Sequence, residues 1–246
     1  MLLQGRKLVK TTRFQQPKYV GDPINTIRIF NDKEVDEVTV LDISASKSGK
    51  APDYELIEDL AGECFMPLSF GGGIQTIDQA EQLFRIGIEK IIINSAAMDK
   101  LDFVSKLSEI FGSQSISVSV DVKSNWLGKQ KVWSHSKIHV PHTIPAECCK
   151  HIEQAGAGEI LLTDVDREGT RSGYNLQLIK EVSGNVSIPI VANGGAGSLS
   201  HFLSALRAGA SAVSAGSLFT FLGEEHSVLI NYPTQQVLKE SVFSNL

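Results

Sequence analysis

Leu68-Ser69-Phe70-Gly71-Gly72-Gly73-Ile74 and Val191-Ala192-Asn193-Gly194-Gly195-Ala196-Gly197 are two stretches of one kind, set half a chain apart. In each, a short apolar run ends in a glycine-rich turn and an amphipathic segment follows, so each reads as a strand passing into a helix. Glycine lets the backbone approach a ligand closely, and the N–H groups of such a turn attract anions. Two turns of this kind point to two phosphates, or to one ligand with a phosphate at each end.

The spacing between them recurs. Gly72 and Gly194 lie 122 positions apart (194 − 72), and the same offset relates Leu41-Asp42-Ile43 to Thr163-Asp164-Val165 and Asn94-Ser95-Ala96 to Gly216-Ser217-Leu218. Three strand ends in one register indicate a duplicated half.

Around these turns, short apolar runs at 38–43, 67–70, 90–94, 116–122, 159–163, 188–192 and 212–215 read as buried strands. Helical patterns lie between them at 23–31, 54–64, 77–86, 101–111, 144–155, 176–183 and 199–208. Asp22 before Pro23 and Thr76 with Gln79 supply start signals, and Gly87, Gly112, Gly156 and Gly209 supply stops. Alternating strands and helices imply a parallel sheet. With residues 1–3 as a stub of a first strand, two halves of four units predict a (β/α)8 TIM barrel in one domain over 1–246, with its site at the C-terminal strand ends. An open doubly wound sheet is the competing architecture. It binds at one switch point and leaves the second glycine turn unexplained.

The bulk properties narrow the function. A chain of 246 residues accommodates a large core, and its net charge of −5 argues against a general nucleic-acid binder. No apolar run is long enough to insert in a membrane, and three cysteines, Cys64 and the adjacent Cys148 and Cys149, make no disulfide framework, so a cytoplasmic location is expected. His135, His139 and His142 fall in a segment broken by Gly128, Pro141 and Pro145, which reads as a hairpin or loop with surface histidines rather than a metal site. That insertion, 123–143, is a candidate lid or partner contact. Lys47-Ser48-Gly49-Lys50 lacks the glycine spacing of a nucleotide loop and reads as a turn after the second strand. No metal and no cofactor is called for.

Several blocks carry a family resemblance. Gly71-Gly72-Gly73-Ile74, Asn94-Ser95-Ala96-Ala97, Phe111-Gly112-Ser113-Gln114, the run from Gly156 to Thr163, Asp166-Arg167-Glu168-Gly169-Thr170 and Asn193-Gly194-Gly195-Ala196-Gly197 resemble the cyclase subunit of imidazole glycerol phosphate synthase over nearly the whole chain. The resemblance implies a two-phosphate barrel that takes ammonia from a glutaminase partner through its interior and joins it to a phosphorylated ribosyl substrate. It implies that Asp121 is a catalytic proton-transfer group and that Lys10 is the mobile-loop lysine after the first strand. Gly72, Gly73, Asn94, Ser95, Gly169, Gly194, Gly195, Gly216 and Ser217 fall in its substrate- and phosphate-binding set. Glu37, Lys90 and Glu159 match the charged ring at the ammonia-admitting mouth.

The departure is at the first strand. Leu2 stands where the family has a second catalytic aspartate, and no carboxylate precedes Asp22. The first strand is therefore expected to be short, with residues missing before Met1. Val9-Lys10-Thr11, Pro17-Lys18-Tyr19-Val20-Gly21-Asp22-Pro23-Ile24-Asn25 and Cys64-Phe65-Met66-Pro67-Leu68 resemble a paralogous branch. That branch is associated with acetamidino modification of sugars in bacterial surface polysaccharides, where the barrel works with a glutaminase and a separate sugar amidotransferase. The expected function is thus an ammonia-using synthase subunit in such a pathway. The alternatives are the histidine-pathway cyclase, or a silent barrel that scaffolds or activates a glutaminase.

Overall fold

The structure is a computed structural model that describes residues 1–134, 143–223 and 227–246, with Lys47 described in its backbone only. His135, His139 and His142 lie outside the described residues. Among the described residues, eight parallel strands form the barrel wall: β1 (Leu2–Gln4), β2 (Val38–Asp42), β3 (Leu68–Gly71), β4 (Lys90–Ile93), β5 (Ile116–Ser124), β6 (Glu159–Asp164), β7 (Ile190–Asn193) and β8 (Ala212–Val213). Each pairs in parallel with the next, from β1 on β2 through to β7 on β8. Helices alternate with them, as the sequence predicts for the (β/α)8 barrel.

The first strand is a stub, and the chain reverses at Gly5 into a hairpin of Lys7–Thr12 and Gln15–Gly21 that sequence reasoning did not foresee. Lys7–Thr12 pairs antiparallel with β1 on the side away from β2, through Leu2 to Val9 and Leu3 to Leu8. The edge that a short first strand would leave open is thereby covered. Among the described residues β1 and β8 share no strand pairing. Lys10 consequently sits on a strand, not in a loop, which corrects the expectation drawn from the resemblance.

Local chemistry sets the elements. Asp22 accepts from the Asn25 amide at the start of the helix Pro23–Asp32, and Thr76 and Gln79 close a reciprocal capping box on Ile77–Ile86. Along β5 the alternation Ile116-Ser117-Val118-Ser119-Val120-Asp121-Val122 splits the strand into two faces. The aliphatic side chains join the core under the helices, while Ser119 and Asp121 line the barrel interior. Beyond the rim, β5 pairs with Gln130–Val132, so the first part of the 123–143 insertion is a hairpin.

The duplication is geometric as well as sequential. Asp42 Oδ1 accepts from the amides of Ser44 and Ala45, and Asp164 Oδ1 accepts from those of Asp166 and Arg167, at the same offset. Asp53 caps the amide of Leu56 as Asn175 caps that of Leu178. Gly72 (φ 119°) lies against the Asp42 carbonyl, where a Cβ would come within 2.5 Å of the oxygen. Gly194 (φ 88°) lies against the Asp164 carbonyl, where the figure is 2.6 Å.

Both positions therefore exclude a side chain by contact and by backbone angle. Gly72→Ala and Gly194→Ala should each destabilise the protein by about 2 kcal/mol or more, roughly 4–8 °C in melting temperature. Gly128→Ala, where nothing lies within 4 Å, should cost less despite its φ of 76°. Equal melting temperatures for all three variants would contradict the close-packing argument.

Candidate active site

The C-terminal ends of the strands gather the residues the sequence singled out, in two related groups. Gly72 and Gly73 follow β3, and Asn94 and Ser95 follow β4 and open a short helix, Ser95–Asp99. Gly194 and Gly195 follow β7, and Gly216 and Ser217 follow β8 and open Ser217–Thr220. Gly72, Gly73, Asn94 and Ser95 line one large interior cavity of about 1240 Å³ together with Asp121 and Gly216. Gly194, Gly195, Gly216 and Ser217 line a small side pocket shared with Lys10, Glu168 and Gly169. Gly169 is pressed against the hairpin, where its Cβ position would strike the Thr11 carbonyl.

Asp121 sits near the C-terminal end of β5, only 8 % exposed. Asn94 Nδ2 donates to its Oδ2 at 2.9 Å and Ser119 Oγ to its Oδ1 at 3.4 Å. Burial disfavours the carboxylate and pushes its pKa up to about 7. Hydrogen bonds from Asn94, Ser119 and Thr163 oppose that rise, and the charge of Glu168 adds to it. A carboxyl that exchanges its proton near neutrality is suited to general acid–base work.

Glu168 is the residue that sequence reasoning missed. It lies in the turn after β6 and is 5 % exposed. Its Oε1 accepts from Thr11 Oγ1 at 3.0 Å and faces Lys10 Nζ at 3.8 Å, while its Oε2 accepts from the Phe14 amide at 3.1 Å. The hairpin is thus anchored on Glu168, and the Arg13 amide adds a bond to its carbonyl. The acidic residue next to Gly169 was visible in the sequence, but nothing there placed it beside a hairpin 157 positions earlier. Burial lowers the pKa of Lys10, with the pull of Glu168 working against that shift. Leu2 lines the same cavity as Asp121 and offers it no exchangeable proton.

The other end of the barrel carries the charged set. Glu37 immediately precedes β2, while Lys90 and Glu159 begin β4 and β6. Lys90 Nζ lies 2.8 Å from Glu159 Oε2 and 3.5 Å from Glu37 Oε1, and Ser69 Oγ donates to Glu37 at 2.5 Å. Burial works against the Lys90 charge, but Glu159 and Glu37 outweigh it and leave the ammonium above its ordinary value. Glu37 and Glu159 line the far end of the cavity that reaches Asp121. Ser117, level with Glu159 in the sheet register, has a buried hydroxyl without a hydrogen-bond partner among the described residues.

The shift at Asp121 has a measurable consequence. The folded protein holds this proton up to about pH 7, whereas an unfolded aspartate loses it near pH 4. Between those limits the native state binds more protons, so this residue makes stability fall as pH rises. Asp121→Asn, which keeps the Asn94 contact, should be more stable than the parent at pH 8 by up to about 4 kcal/mol and little different at pH 4. Denaturant titrations at the two pH values check this, and a pH-independent difference would contradict it.

Comparison with known proteins agrees with this geometry. The family model described as "Histidine biosynthesis protein" matches residues 2–224. A Pseudomonas aeruginosa protein named provisionally as imidazole glycerol phosphate synthase subunit hisF2 is 47% identical over 234 residues, covering 95% of this chain and 93% of that one. A Leptospira interrogans protein, named provisionally as subunit HisF of the same synthase, is 45% identical over 99% of this chain and 96% of its own. The Streptomyces coelicolor imidazole glycerol phosphate synthase subunit HisF is 37% identical over 87% and 86%. A barrel with paired glycine turns, a buried aspartate between them and these relatives make this chain a member of the HisF family of histidine-biosynthesis proteins.

Proposed function

We propose that this one-domain barrel is the synthase-type subunit of a glutamine amidotransferase complex. In this reading ammonia released by a HisH-like glutaminase enters past Glu37, Lys90 and Glu159 and is joined, at the opposite end, to a phosphorylated or nucleotide-sugar substrate. The observation that carries the reading is the interior cavity, which has Glu37 and Glu159 at one end and Asp121 and Asn94 at the other. Asp121 serves as the proton-transfer group that C–N bond formation needs. The two glycine turns, with Asn94, Ser95, Gly216 and Ser217, receive phosphate, and Lys10 stands against Gly216 to add a cation.

Leu2 directs the choice of pathway. Without a carboxylate at that position the two-aspartate chemistry of the histidine cyclase is not available in its usual form. We therefore assign the chain to acetamidino sugar formation for surface polysaccharide, with a separate sugar amidotransferase, in the cytoplasm. The second reading, production of imidazole glycerol phosphate, is favoured by the Streptomyces relative's name. A gene neighbourhood of polysaccharide genes supports the first reading and a histidine operon the second.

Two outcomes follow. Copurified with its glutaminase, the chain should raise glutamine hydrolysis. Lys90→Ala should weaken that effect about tenfold or more, because truncation leaves Glu159 half-buried without its partner. Unaltered stimulation by the variant would remove the docking assignment. In a strain lacking the histidine cyclase, the unmodified chain with its glutaminase should not restore growth, and full complementation would overturn the surface-sugar reading while leaving the fold untouched.

A further inference from the structure

The side pocket at Gly194, Gly195, Gly216 and Ser217 has one cation and one carboxylate in its lining, Lys10 and Glu168. Their 3.8 Å separation is an ion pair longer than a formed hydrogen bond. Glu168 does not need Lys10 to stay in place, because Thr11 and the Phe14 amide hold both of its oxygens. Lys10, by contrast, already lies against Gly216, at the position a Cβ there would occupy.

We propose that Glu168 is a placeholder anion: it neutralises the Lys10 ammonium until a phosphate enters beside Gly194 and Gly216, takes Lys10 over, and thereby drives a proton from solvent onto Asp121. The inference rests on the phosphate reading of this turn given above. The exchange is electrostatic. A phosphate draws Lys10 by charge and by hydrogen bonding. Glu168 is then left, still fixed by the hairpin, with its counter-ion withdrawn. The groups that face Asp121 are Asn94 from β4, Ser119 from its own strand, Thr163 from β6 and Glu168, which lines the same cavity from the turn after β6. Of these only Glu168 changes its electrostatic balance when Lys10 leaves. A less compensated anion there raises the proton affinity of Asp121, so phosphate and proton bind with positive linkage. Occupation of the phosphate site would in this way arm the acid form of Asp121.

Calorimetric titration of the full-length protein with sulfate and with inorganic phosphate tests this, sulfate being chosen because it does not itself titrate near neutrality. In buffers of differing ionisation enthalpy at pH 7, the wild type should take up a fraction of a proton per sulfate bound. Glu168→Gln should bind sulfate about fivefold or more tightly, because the competing anion is gone, and should lose the proton uptake. Asp121→Asn, fixed in the neutral form, should bind sulfate at least as tightly as the wild type and also lose the uptake. Lys10→Met should bind weakly with no uptake, which supplies an independent arm if the Gln variant folds poorly. Unchanged or weaker sulfate binding by Glu168→Gln marks Glu168 as a hairpin anchor alone and overturns the proposal, as does uptake that survives Asp121→Asn. No binding of either anion by the wild type overturns the phosphate reading itself, a result distinct from the other two.

Discussion

The close approach of each glycine turn to the carbonyl of the strand-end aspartate beside it is the constraint from which the site follows. Asp42 holds the turn after β2 with its side chain and receives Gly72 against its carbonyl, and Asp164 does the same after β6 with Gly194. A carboxylate that satisfies two amides fixes its own turn, and a neighbour without a Cβ can then pack directly on its backbone. The strand ends are thereby drawn together in two equivalent places. Asp121 lies between the two sets, on the fifth strand.

Charge is distributed along the barrel with a division of labour. At the N-terminal end, Lys90 is held between two carboxylates, Glu159 at 2.8 Å and Glu37 at 3.5 Å, and none of the three is fully buried. At the C-terminal end, Asp121 and Glu168 are both buried, and Lys10 faces Glu168 at 3.8 Å, a loosely held ammonium. Burial disfavours the Asp121 carboxylate, and the hydrogen bonds from Asn94, Ser119 and Thr163 hold it without a cation, so it keeps its proton toward neutrality.

The hairpin of Lys7–Thr12 and Gln15–Gly21 joins these two themes. It covers the edge of a three-residue first strand, and it delivers Lys10, Thr11 and Phe14 to Glu168. A flexible loop in that place would leave Glu168 without two of its donors. Strand pairing at one end of the hairpin and a buried carboxylate at the other therefore support the same segment from both sides.

The barrel, its duplication and the gathering of the singled-out residues at its two ends were legible in the sequence because they rest on local chemistry. The glycine turns at 71–74 and 194–197, the caps at Asp22 and Thr76, the alternation along β5 and the charges at strand starts each act within a few residues, so their spacing carries the information. The hairpin was not legible, since Lys7 to Gly21 has neither a standard two-residue turn signal nor a clean alternation, and its pairing depends on the stub beside it. Nor was the role of Glu168, whose partners lie at the other end of the chain. Sequence alone determined which strand ends carry glycine, aspartate and lysine. Only the tertiary structure decided that one lysine stands between a buried glutamate and a glycine turn, because the strength of that contact depends on burial and distance, which no local pattern encodes.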